Sequence, residues 1–142
     1  MSRPAAPRLE DFPFQVRDSV RFADTDAFGH VNNAVFSTFL ESGRALMLMD
    51  DAAFARPQGT GYALVRLAID YRGEIHWPGE VVIGTRIQAI GGASLTFSQG
   101  IFQNGTCCAS AETVVVLFDL SARHAVRFPD PLRAALTAAS RP

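Results

Sequence analysis

The sequence predicts an α+β fold in which an antiparallel sheet of about five strands wraps around one long helix. Three observations carry this reading. A two-residue hydrophobic period gives way to a helical one after residue 33 and returns after residue 60. The helical stretch is apolar nearly all round toward its end, so it must be covered on more than one side. Two hairpin signals, Gly91-Gly92 and Asn104-Gly105, divide the second half into successive strands. One sheet covers so apolar a helix most economically by curling around it.

Taken in order, residues 1–12 contain Pro4 and Pro7 among mixed charges and read as a loose N-terminal arm. From Phe14 to Phe22 the apolar Phe14, Val16, Val20 and Phe22 share one parity, opposite Arg17, Ser19 and Arg21, which predicts a strand with one wet face. A polar loop with Gly29 as its pivot follows. Val35, Phe36, Phe39, Leu40, Gly43, Leu46 and Met47 then fall within one arc of a helix. Asn32 or Asn33 is suited to cap its start, and its end is expected near Asp50 or Asp51. Glu41 and Arg44 are spaced to pair along it.

Alternation resumes with Ala63, Val65, Leu67, Ile69 and Tyr71, and again with Val81, Ile83, Ile87 and Ala89. Pro78-Gly79 separates these two strands. Two more are expected over 94–103 and 107–119, the latter apolar on both faces and therefore central or covered by another subunit. A short closing helix has Pro131 in its first turn.

Composition limits the function. The chain has 142 residues, a formal net charge of −1 and 48% hydrophobic residues, enough for a single domain spanning 1–142. Charges of both signs are interspersed, which leaves no basic face for a phosphate backbone; nucleic acid is not an expected partner. No apolar run approaches the roughly 20 residues that span a bilayer, and the N-terminus lacks a secretion-signal core, so a cytoplasmic protein is expected. Cys107 and Cys108 are adjacent, a poor geometry for a mutual disulfide, and read as reduced core residues.

The chemistry-bearing residues concentrate in the loop from Asp24 to Asn33. Two carboxylates, an imidazole and two carboxamides stand there beside a helix N-terminus, whose free N–H groups and dipole favour developing negative charge. A carbonyl docked there would be polarised as in an oxyanion hole, and a carboxylate just upstream could activate water or attack the carbonyl carbon. Asp24, Asp26 and His30 are too few to specify a metal site, and none is expected.

The run Val20-Arg21-Phe22-Ala23-Asp24-Thr25-Asp26-Ala27-Phe28-Gly29-His30-Val31-Asn32-Asn33-Ala34-Val35-Phe36, continued by Phe39-Leu40-Glu41-Ser42-Gly43-Arg44, closely resembles the signature of hotdog-fold acyl-CoA thioesterases of the 4-hydroxybenzoyl-CoA thioesterase type. Leu67-Ala68-Ile69-Asp70-Tyr71, Pro78-Gly79-Glu80-Val81 and Arg127-Phe128-Pro129 look like later parts of the same family. The resemblance implies hydrolysis of a thioester to a carboxylic acid and CoA. Asp26 would be general base or nucleophile, the Asn33 N–H would polarise the carbonyl, and His30 would be a further catalytic residue. Asn32, Phe28 and Phe36 are the substrate-binding candidates, with Asn32 also suited to capping and Phe36 to the core. Asp24 reads as a structural acid bonded to backbone amides, and Glu41 as a reserve base.

The expected substrate is an acyl-CoA or acyl-carrier-protein thioester, with coenzyme A as part of the substrate and no separate cofactor. A homodimer with active sites at the seam is expected, and tetramers occur among relatives. All 13 basic residues are Arg, some of them suited to clamping the CoA phosphates. Two alternatives stand beside this one: an enoyl-thioester hydratase or dehydratase on the same fold, and a non-catalytic acyl-thioester-binding module.

Overall fold

A computed structural model describes residues 4–141. The elements are β1 (Phe14–Ser19), α1 (Asn33–Met49), β2 (Thr60–Tyr71), β3 (Glu80–Ile90), β4 (Ser94–Gln103), β5 (Thr106–Asp119) and α2 (Asp130–Ala139), with 3-10 turns at Leu9–Asp11, Phe22–Asp24 and Ala52–Phe54. The five strands form one antiparallel sheet in the order β1-β3-β4-β5-β2. The expected α+β class and five antiparallel strands are both present.

Helix α1 begins and ends close to where the period predicts. The Asn32 side chain accepts from the Ala34 N–H at 2.9 Å, satisfying one of the helix's first donors. Phe36, Phe39 and Leu40 pack with Val20, Ile83, Ile101 and Ala109 in one core cluster. Met47 joins a second, with Phe97, Leu117, Phe128 and the α2 residues Leu132 and Leu136. Gly43 sets the closeness of approach: a Cβ there would stand 2.6 Å from Ile83 Cγ2 and 3.0 Å from Gln99 Nε2, so only glycine lets the helix lie this near the sheet.

The Asn104-Gly105 signal holds. Both residues take positive φ, 51° and 80°, the backbone a two-residue hairpin between β4 and β5 requires. Strand β5 lies second from the edge between β4 and β2, which accounts for its buried Val115 and Leu117. Cys108 is buried and Cys107 partly so, both as free thiols, and burial pushes each pKa up.

Four expectations need correction. In the described part of the N-terminal arm, Leu9–Asp11 form a turn and Phe12 is buried edge-on to Phe102, so the end of the arm is folded and anchored by Phe12 rather than loose; residues 1–3 lie outside the described residues. Strand β1 stops at Ser19 instead of Phe22, because Asp24 caps a 3-10 turn through the Arg21 N–H, and Phe22 swings into solvent. At the Gly91-Gly92 signal three residues, 91–93, separate β3 from β4, and the Gly91 N–H donates to Ser94 O at 2.8 Å around Gly92 and Ala93, so the turn is centred one residue later than the glycine pair. The end of α1 is not covered on every side in the single chain, since Leu46 is exposed and Met49 is 77% exposed.

Candidate active site at the start of helix α1

Two successive turns deliver the chain from β1 to α1. The first, Arg21 to Asp24, is fully bonded. The Asp24 carboxylate, 2% exposed, accepts from the Arg21 N–H at 2.8 Å and from the Arg21 guanidinium at 2.8 and 3.2 Å. Burial alone would raise the Asp24 pKa, but the Arg21 hydrogen bonds and charge outweigh it and hold the carboxyl below the usual carboxylate range. Asp24 is thus the structural acid the sequence suggests.

The second turn runs from Asp26 to His30. The Asp26 N–H donates to His30 O at 3.0 Å and the Gly29 N–H to Asp26 O at 3.1 Å, with Gly29 at φ 88°. Asp26 Oδ1 accepts from the Phe28 N–H at 2.9 Å, an Asx turn that fixes the carboxylate's direction. Among the described residues Asp26 Oδ2 has no hydrogen-bond partner, and the side chain is half-buried. The turn is folded back on the helix by the Thr25–Val31 bridge and by Asn32 N–H to Asp24 O at 2.8 Å. The backbone of the Asp26 turn is therefore held beside the residues that start α1.

At that junction the first helical N–H groups are divided. Ala34 N–H is taken by the Asn32 side chain and Val35 N–H by Asn32 O. The Asn33 N–H has no acceptor among the described residues, so it is the open donor at a helix N-terminus. Tyr71, at the end of β2, donates its hydroxyl to Asn33 O at 3.1 Å and packs edge-on against Phe36 at 5.0 Å, tying the first turn of α1 to the sheet.

The other candidates divide. Asn32 is the helix cap. Phe28, 85% exposed, stands at the tip of the second turn. Phe36 is inside the core at 2% exposure, as its alternative reading has it. His30 Nε2 lies 3.6 Å from Glu74, whose other oxygen is 3.5 Å from His76. Glu41 and Arg44 do not form an ion pair: the Arg44 guanidinium turns inward to Gln99 at 3.2 Å and Thr113 at 3.4 Å.

Sequence reasoning missed the wall opposite the loop, formed by Glu74, His76, Trp77 and the end of β2. Gln103 holds it, accepting from the His76 N–H and donating to His76 O, both at 2.9 Å, while Ile75 O accepts from the Val31 N–H at 2.8 Å. Trp77 stacks edge-on against the exposed Phe22 at 5.0 Å. The polar Glu74 and His76 beside the Pro78-Gly79 break were the available signal. Among the described residues, no group of three or more His, Cys, Asp or Glu side chains is placed to hold a metal ion.

The site is thus a directed carboxylate and an open backbone donor at one helix N-terminus, rimmed by aromatic rings. Known proteins resemble the chain over most of its length. The chain is 29% identical over 128 residues to the acyl-CoA thioesterase YbgC of Haemophilus influenzae, covering 87% of this chain and 93% of that protein. It is 32% identical to a Thermus thermophilus thioesterase whose crystal structure holds coenzyme A and Zn, with a TM-score of 0.81 over 94% of this chain and 99% of that one. The fold is shared as well with the Pseudomonas aeruginosa protein PA5185, at a TM-score of 0.86 and 24% identity over 96% of this chain and 97% of that one. The model of the Thioesterase-like superfamily matches residues 20–136, and the chain belongs to that superfamily.

Proposed function

We propose that this chain hydrolyses acyl-CoA thioesters through Asp26 and the Asn33 N–H. The observation that carries the mechanism is the pairing of one unspent carboxylate oxygen with one unspent helix-start donor at a single junction. With the thioester carbonyl oxygen against the Asn33 N–H, the carbonyl carbon becomes more electrophilic, and the charge that develops on oxygen meets the positive end of the helix. Asp26 Oδ2 takes a proton from water as the water oxygen bonds to that carbon; the tetrahedral adduct then collapses, the C–S bond breaks and CoA leaves as the thiol once protonated. Direct attack by Asp26 would instead give a mixed anhydride that water opens. No resident cofactor enters either route.

His30, in the second turn beside Glu74, is the further catalytic candidate of this reading. Phe28, with Phe22 and Trp77, offers exposed aromatic surface at the rim where an acyl-CoA would lie. A second copy is the natural cover for the β2 edge: it is 12 residues long, with Val65 58% exposed and Leu64, Leu46 and Met49 also uncovered. Such a dimer would complete the wrapping of the sheet around α1 that the hotdog reading describes.

The test is a thiol-release assay over a panel of aryl, short-chain and long-chain acyl-CoA substrates, run beside enoyl-CoA hydration. Thiol release with one or more of them is the expected result. Loss of enoyl absorbance without thiol release would mark a hydratase, and binding with neither would mark an acyl-thioester-binding module.

A further inference from the structure

The second half of α1 carries a site the hydrolytic scheme does not use. A cavity of about 420 Å³ opens between it and the sheet, within the roughly 300–1,000 Å³ range of small-molecule sites. Its lining is mostly apolar, with Leu48, Met49, Phe54, Leu64, Phe97 and Val115. Two polar groups in it are poorly matched. Arg44 is only 7% exposed and has no carboxylate within ion-pair distance among the described residues; only its Nη1 finds acceptors, the neutral oxygens of Gln99 and Thr113. The Tyr62 hydroxyl is buried with no hydrogen-bond partner among the described residues. An unpaired buried cation and an unpaired buried hydroxyl are both costly, and both are satisfied by one anionic acceptor. At the rim Arg56 adds a second positive charge and the exposed Glu41 one negative charge, so the cavity's side chains sum to a net positive charge.

We infer that this cavity binds an apolar carboxylate, its headgroup on the Arg44 guanidinium and the Tyr62 hydroxyl and its tail along Leu48, Phe54, Leu64 and Val115. The guanidinium matches a carboxylate's two oxygens in a way that no neutral headgroup does. Arg44 lies 11 residues beyond Asn33, about 16 Å along the helix at 1.5 Å per residue. The anchoring guanidinium is therefore remote from the Asn33 N–H of its own chain. If the hydrolysis proposed above holds, the released acid is itself such a ligand; binding does not depend on that reading.

Octanoate is the probe, with octanol as the uncharged control, titrated against the full chain by calorimetry. Octanoate is expected to bind, and octanol to bind at least about tenfold more weakly. Arg44→Met should weaken octanoate about tenfold or more. Because that variant alters a buried position, Tyr62→Phe is the second probe: it should weaken octanoate about threefold while raising the Tm of the ligand-free protein, since it removes an orphaned hydroxyl. A merely structural tyrosine would not part stability from binding in this way. Equal binding of octanol, unchanged affinity in both variants, or no octanoate binding together with an altered monomer–dimer equilibrium in Arg44→Met would overturn the inference. The last result would assign the guanidinium to a second copy of the chain. None of these readouts involves turnover, so they fail independently of the thiol-release assay.

Discussion

The turn from Arg21 to Asp24 and the turn from Asp26 to His30 use the same chemistry, an aspartate capping backbone N–H groups, and leave opposite residues of it behind. In the first, both carboxylate oxygens are engaged, the side chain is buried, and the neighbouring guanidinium favours the ionised form. In the second, one oxygen is engaged and the other has no partner among the described residues. A carboxylate held at both oxygens is a rivet. Held at one, it is aimed, with the second oxygen left for a proton or a carbonyl carbon. The two acids of the Asp24-Thr25-Asp26 sequence are therefore distinguished by how completely the fold uses them, not by their distance along the chain.

The sharpest way to break this contrast is Asp26→Asn. The amide can still accept from the Phe28 N–H, so the turn should persist and the Tm should change little. The proton acceptor is gone, and kcat for thiol release should fall by about 10²–10⁴-fold. Parallel measurement of kcat and thermal unfolding checks both halves. Near-normal turnover would move the base elsewhere, with Glu41 the first alternative.

Asp24→Asn should invert the pattern. We expect a loss of about 2 kcal/mol from the buried carboxylate and its backbone partner, with the exposed Arg21 side chain contributing little through screened charge. The pH dependence has a definite sign. Asp24 titrates below its unfolded value near ~3.9, so its contribution is complete above that pH and disappears as the pH falls through the lower folded value. The stability gap between wild type and Asp24→Asn should stay constant from about pH 8 to pH 5 and narrow below about pH 4. Denaturant unfolding at several pH values would reveal it, and a gap that widened in acid would contradict the assignment.

How much of this was visible in the sequence follows the range of the forces involved. Helix α1, its Asn32 cap and the Asn104-Gly105 hairpin depend on residues within a turn of one another, and the period and turn chemistry showed them directly. The division between Asp24 and Asp26 was legible only through the family resemblance, which matches Asp26 and not Asp24 to the catalytic carboxylate. Phe22 misled because its parity continues that of β1, while the turn that ejects it is set by a cap two residues on. Arg44 misled because the i,i+3 rule offered it Glu41, whereas burial against the sheet offered Gln99, 55 residues away. Glu74, His76 and Gln103 form their wall only after strands distant in sequence have paired, and no local pattern encodes that meeting.

The smallest expected effect falls where the two turns meet the helix, and it separates two readings of one residue. Asn32 is a substrate-binding candidate by sequence and a helix cap by geometry, its Oδ1 on the Ala34 N–H and its own N–H on Asp24 O. Asn32→Ala removes the first of these bonds and keeps the second, which is backbone. A cap alone predicts a loss of about 1 kcal/mol in stability. It also leaves two N–H groups, those of Asn33 and Ala34, free at the helix start, so the carbonyl would meet no fewer donors than before and kcat should be close to wild type. A residue that touched the acyl-CoA would instead raise KM with stability nearly unchanged. Because the two readings move different observables, unfolding and steady-state kinetics on this one variant decide between them, and with them whether the second turn's openness extends into the helix or stops at Asn33.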